Sequence, residues 1–225
     1  MGWKWLRPRT MNRFYDIHSH RWENNDVVRV LSKNIDDSPI DTDLHNAYCS
    51  YGIHPYYIDD YERQLSDLRK ELNQNNVVAI GECGLDKLMK TSMDTQLFVF
   101  KSQALMAEEY KFPLIIHCVK AWDELLAVRK ELKAESKWII HGFRGNASLA
   151  KQLISHGLYL SFGLFFNIEA PLAAYPEKIF LETDNSEFSI QDVYTKIKSA
   201  IGVTEEELAH VIAENVHKTF ISIRK

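Results

Sequence analysis

Eight short runs rich in β-branched and apolar residues recur along this chain, at 13–18, 27–32, 47–52, 77–82, 113–117, 137–141, 158–162 and 178–182. Val77-Val78-Ala79-Ile80 and Leu114-Ile115-Ile116 are continuously apolar, the pattern of parallel strands buried on both faces. Segments with helical spacing fill most gaps. Residues 57–75 carry Leu65, Leu68 and Leu72, residues 94–110 carry Leu97, Phe100, Ala104 and Leu105, and residues 122–134 carry Leu125, Leu126, Val128 and Leu132; each set covers one helix face. Thr204 with Glu207 reads as a capping box opening a C-terminal helix. Strand alternating with helix predicts an α/β fold, and eight repeats favour a (β/α)8 TIM-like barrel, with an open parallel sheet as the alternative. The barrel is expected to be irregular, with shortened early helices. The connection from His20 to Val27 is brief, and 33–46 contains Asp36, Asp37, Pro39 and Asp41, poor helix material.

The 225 residues, 45% of them hydrophobic, fit one domain over 1–225 with a sizeable core. A net charge of −4 provides no global field to attract polyanions, so a nucleic-acid substrate would need a local patch or a metal. Cys49, Cys83 and Cys118 form no C-x-x-C pair, which suits reduced thiols in a cytoplasm. Met1–Met11 has no apolar leader run, and no stretch reaches membrane-spanning length. A monomer or weak dimer is expected, with 27–46 as the thinly covered side.

The chemistry-bearing residues cluster at the predicted strand ends. Residues i and i+2 of a strand share a face, so Asp16, His18 and His20 can project together into a barrel mouth. Glu82, His117 and His141 end later strands, and Asp184 follows the last. In a parallel barrel the C-terminal strand ends build the active site. A single strand-end histidine has an ordinary structural explanation, but four His, one Glu and one Asp at five such ends point jointly to metal. Imidazole and carboxylate ligands suit zinc, manganese or iron, with magnesium through the carboxylates. Six ligands suit two divalent ions about 3.5–4 Å apart, bridged by Glu82. Asp184 can also accept the proton of an attacking water. Alternation turns Cys83 and Cys118 away from the mouth. Glu182 either orients a ligand histidine or forms a surface ion pair, and His54 lines the mouth as a substrate contact. His45, His156, His210 and His217 lie in loops or on helices and are read as structural.

In order and spacing, Asp16–His20, Gly52–Pro55, Gly81–Asp86, Gln103, the strand ending at His117, His141–Phe143 and Glu182–Asp184 resemble the TatD family of metal-dependent hydrolases. The likeness runs from about residue 14 to Phe220. It implies that His18, His20 and Asp184 hold one ion, that His117 and His141 hold the other, and that Glu82 bridges them. It also implies metal-dependent DNase activity on DNA or another phosphodiester. The family's arginine two residues beyond the ligand at His117 is replaced here by Val119, leaving Lys120 and Arg144 as candidate phosphate contacts. An amide, ester or small-phosphoester hydrolase on the same barrel, and a catalytically silent metal-binding scaffold, are the alternatives.

Overall fold

The apolar runs at Val77–Ile80 and Leu114–Ile116 are wholly buried and lie in adjacent parallel strands, as runs covered on both faces must be. The computed structural model describes residues 14–23, 26–37 and 47–221. Eight parallel strands follow one another in sequence order: β1 (Tyr15–Ser19), β2 (Val28–Asn34), β3 (Ala47–Gly52), β4 (Val77–Asp86), β5 (Leu114–Val119), β6 (Trp138–Ile140), β7 (Tyr159–Phe162) and β8 (Ile179–Leu181). β8 returns to β1. Asp184 N–H donates to His18 O at 2.9 Å and His20 N–H to Asp184 O at 3.2 Å, closing the mouth end of the ring.

The helices are α1 (Tyr61–Glu71), α2 (Met93–Tyr110), α3 (Trp122–Leu132), α4 (Ala147–Ser155), α5 (Ala170–Ala174), α6 (Ile190–Ile201) and α7 (Glu205–Val216). Thr204 caps α7 in the expected box, its Oγ1 accepting from Glu207 N–H while Glu207 accepts from Thr204 N–H. α1 starts later than expected because Pro55–Tyr57 forms a separate 3-10 turn first. No helix is described between β1 and β3. Residues 38–46, including His45 and much of the thinly covered side, lie outside the described residues, as does Met1–Met11.

The buried face of α2 carries two glutamines seven residues apart, which serve as docking pins. Gln103 accepts from Ile53 N–H at 2.8 Å and donates to Ile53 O at 3.1 Å. Gln96 accepts from Asp86 N–H at 2.8 Å and donates to Asp86 O at 3.0 Å. These pairs satisfy strand-end backbone groups that have left the ladder. They fix the ends of β3 and β4, where His54 and Asp86 stand.

Candidate metal centre

Glu82 occupies a distorted stretch of β4. Ile80 pairs with Leu114 and Cys83 with Ile116, so β4 carries one extra residue there, and such a bulge re-aims a side chain. Glycines permit it. A Cβ on Gly81 (φ 151°) would lie 2.6 Å from Ile115 O, and one on Gly84 (φ 148°) 1.9 Å from His117 O. β4 therefore continues past the expected end at Glu82 to Asp86.

The Glu82 carboxylate is the hub of the mouth. Its Oε1 lies 2.7 Å from His141 Nε2, 3.1 Å from His117 Nδ1 and 3.2 Å from His54 Nε2. Its Oε2 lies 3.5 Å from His18 Nε2 and 3.8 Å from His20 Nε2. Asp184 Oδ1 faces the same two imidazoles at 3.6 and 3.5 Å. Three overlapping groups have metal-ligand spacing: His18–Glu82–His141, His18–His20–Asp184 and His54–Glu82–His117. All six residues expected at a metal centre thus meet. No cysteine joins these groups among the described residues.

A cation fits this donor set on an observation at His18. Its ring is fully buried, and neither nitrogen has a hydrogen-bond partner. Burying unbonded polar atoms is costly, and an ion taking the Nε2 lone pair removes one of the two orphans. The electrostatics agree. Burial and His141 act to lower the His18 pKa, yet Asp184 and Glu82 raise it to about 9. Burial likewise opposes the shift at His141, where Glu82 and Glu182 hold the imidazole well above its ordinary value. Burial would raise the Glu82 carboxyl, but His141, His117 and His18 hold it well below. Asp184 is also lowered, burial being outweighed by His18. The two carboxylates thus favour positive charge among these imidazoles, the charge that a bound cation would supply.

Around the hub, carboxylates fix the rings. Asp86 Oδ2 lies 2.9 Å from His117 Nε2, and its Oδ1 accepts from Leu88 N–H at 2.8 Å. This orienting role went unassigned in the sequence, although Glu82, Gly84 and Asp86 share strand parity. Glu182 is fully buried, accepts from Gly142 N–H at 2.7 Å and lies 3.4 Å from His141 Nδ1. Of its two expected roles, the structure favours orientation over a surface ion pair.

Asp16 departs from expectation and does not share the mouth. Its carboxylate accepts from Thr183 N–H at 3.0 Å and Thr183 Oγ1 at 2.7 Å, with Arg29 Nε at 3.7 Å. Asp16 pairs with Arg29 in the β1–β2 register, so it ties β1 to both neighbours. Burial raises its pKa to about 7 despite Thr183 and Arg29.

His54 stands at the rim with Nδ1 accepting from Tyr56 N–H at 3.0 Å. That bond leaves the ring proton on Nε2. His54 therefore presents a donor to the mouth, although its position has ligand spacing. Lys120 and Arg144 are exposed on the connections after β5 and β6. His156 caps the C-terminus of α4, His210 faces Glu214 on α7, and His217 approaches Tyr15 OH at 3.5 Å.

A parallel eight-stranded barrel whose C-terminal mouth gathers imidazoles around a partly buried carboxylate has the architecture of a metal-dependent hydrolase. The family described as TatD related DNase matches residues 40–221. A Bacillus subtilis protein called uncharacterized metal-dependent hydrolase YabD is 32% identical over 196 residues, 77% of each chain. The chain belongs to the TatD family. An Erwinia tasmaniensis protein named 3'-5' ssDNA/RNA exonuclease TatD is 29% identical over 124 residues, covering 52% of this chain and 47% of that one. Among solved structures, the TatD homologue YjjV of Escherichia coli superposes with a TM-score of 0.80 at 19% identity, covering 94% of this chain and 99% of that one. No helix among the described residues is long and apolar enough to cross a membrane.

Proposed function

We propose that this chain is a divalent-metal-dependent phosphodiesterase acting on nucleic acid from a single barrel domain. The observation that carries the reading is the buried, unbonded His18 facing both Glu82 and Asp184. His18, His20 and Asp184 would hold one ion and His117 and His141 a second, with Glu82 shared between them. Zinc, manganese or magnesium at these donors would lower the pKa of a water and offset phosphate charge. Asp184, about a third exposed and held ionised by His18, accepts the proton of the attacking water. His54 donates from Nε2 to a phosphoryl oxygen, and Lys120 and Arg144 approach the flanking phosphates from the rim. The name of the Erwinia relative supports a single-stranded polynucleotide. The free thiols of Cys49, Cys83 and Cys118 suit a cytoplasmic setting.

The test is cleavage of end-labelled single-stranded DNA with manganese or magnesium, against a chelator control. Asp184→Asn is expected to fold with an unchanged circular dichroism spectrum and to lose roughly 10²–10⁴-fold in kcat, the usual range for a positioned general base. Metal-loaded protein that leaves DNA intact would move the assignment to a small phosphoester or amide.

A further inference from the structure

We propose that Phe165 and Phe188 form a base-stacking subsite for a nucleotide within a few positions of the scissile phosphodiester, with Lys196 and Arg21 meeting its phosphates; this rests on the phosphodiesterase reading above. The observation is where the exposed apolar surface lies. Phe98 and Leu105 on α2 and Leu172 on α5 aside, every large apolar side chain left exposed among the described residues sits on a loop leaving β3, β4, β7 or β8 at the mouth. Phe165 and Phe188 are 58% and 50% exposed and come from different loops. Their ring centroids are 6.3 Å apart at an interplanar angle of 76°. An edge-on pair leaves ring faces uncovered, and a nucleobase stacks on such a face whatever its identity.

The loops hold the pair in place. Phe166 packs inward at 6.2 Å from Phe162, which lies 5.8 Å from Phe143 in the core, so the next ring along, Phe165, is turned out. After Asp184, Ser186 N–H donates to Thr183 O at 2.9 Å and Phe188 N–H to Ser186 Oγ at 3.2 Å. Phe188 is four residues from Asp184, a reach of at most about 14 Å, within a few nucleotides of the hub. Cations accompany the rings in a chain of net charge −4. Lys196 Nζ lies 5.7 Å from the Phe165 centroid and donates to Leu164 O at 2.8 Å, leaving two further N–H groups. Arg21, exposed, donates one N–H to Asn185 O at 3.2 Å. It lines a shallow depression with Ser19, Ser186 and Phe188. Aromatic faces interleaved with cations are the means of holding single-stranded nucleic acid.

The experiment measures Kd by fluorescence anisotropy and kcat by cleavage in manganese, using labelled oligo(dT) and the same strand with abasic nucleotides. Phe188→Ala and Phe165→Ala are expected to weaken oligo(dT) binding roughly tenfold, as loss of one stacked base does, with kcat at saturation within about twofold. The abasic strand should bind the parent with the same loss and the variants with no further loss. Phe188→Trp should restore affinity, whereas Phe188→Leu, apolar without a ring face, should not. Parent-like affinity in both alanine variants while cleavage persists would overturn the subsite and leave the phosphodiesterase reading standing. Binding that follows the expected pattern without cleavage would leave the subsite standing and remove the nuclease. A parent that neither binds nor cleaves overturns both. A dimer split by Phe165→Ala with unchanged oligonucleotide affinity would assign the face to a second copy of this chain.

Discussion

His117 stands between two carboxylates, Glu82 at Nδ1 and Asp86 at Nε2. If Nε2–H donates to Asp86, the Nδ1 lone pair is free for a cation at the hub, and the ring is held at the angle that this requires. Asp86→Ala removes the anchor and is expected to weaken manganese binding roughly 10–100-fold, the usual effect of losing a partner behind a ligand. Asp86→Asn should be about as damaging despite its size. Its Oδ1 would go on accepting from Leu88 N–H, turning Nδ2 toward His117 and driving the ring proton to Nδ1. Competition titration with a metal indicator separates the cases: parent-like affinity in the asparagine variant would show that Asp86 acts through packing and not through the tautomer.

At the scale of the element, the glycines of β4 are the components with least freedom. Ala at Gly84 would put Cβ 1.9 Å from His117 O at a φ of 148°, combining a backbone clash with a conformation that L residues avoid. Gly84→Ala is expected to cost roughly 3 kcal/mol or more from overpacking and strain together, and to displace the strand that carries His117. Gly202→Ala provides the comparison. At φ 84° with nothing within 4 Å, it should cost about 1 kcal/mol, the left-handed penalty of an L residue, and leave metal binding intact. Urea denaturation and manganese titration read both. Equal costs would mean that β4 and β5 part easily and that the Gly84 contact is not a constraint. All eight strands were legible as short β-rich runs, most plainly at Val77–Ile80 and Leu114–Ile116 where burial on both faces leaves continuous apolar stretches, and the six strand-end donors followed from them. The overrun of β4 to Asp86 was not, since a bulge leaves no mark in periodicity. Asp16 was misread by the same parity rule that found His18 and His20: it shares their face of β1, but Thr183, just past β8, and Arg29 on β2 engage its carboxylate. Nor could periodicity say which aromatics on the connecting loops turn outward, as Phe165 and Phe188 do.

For the whole molecule, the hub couples folding, protons and metal. In the metal-free protein the His18 pKa is raised from 6.5 to about 9, by Asp184 and Glu82 against burial, and His141 is likewise held well above its ordinary value. Between pH 6.5 and 9 the native state therefore binds more protons than the unfolded chain. The stability that His18 contributes is complete below pH 6.5 and is lost as pH rises through 9, and that of His141 is lost as pH rises through its own raised value. Glu82 and Asp184, both lowered, act in the opposite direction, contributing above the ordinary carboxyl range and losing that contribution as pH falls from there through their lowered values. A cation must displace the imidazole protons, so its affinity should rise with pH by up to about tenfold per unit for each proton released. Since bound metal stabilises by RT ln(1 + [L]/Kd), each tenfold gain adds about 1.4 kcal/mol once the site is near saturation. The melting temperature of the metal-free protein should thus fall from pH 6 to 8.5 while the increment from saturating manganese grows. Thermal melts at fixed manganese across that range test it. An increment that stays constant with pH would mean that the ions displace no protons, and that His18 and His141 are already neutral when the site is empty.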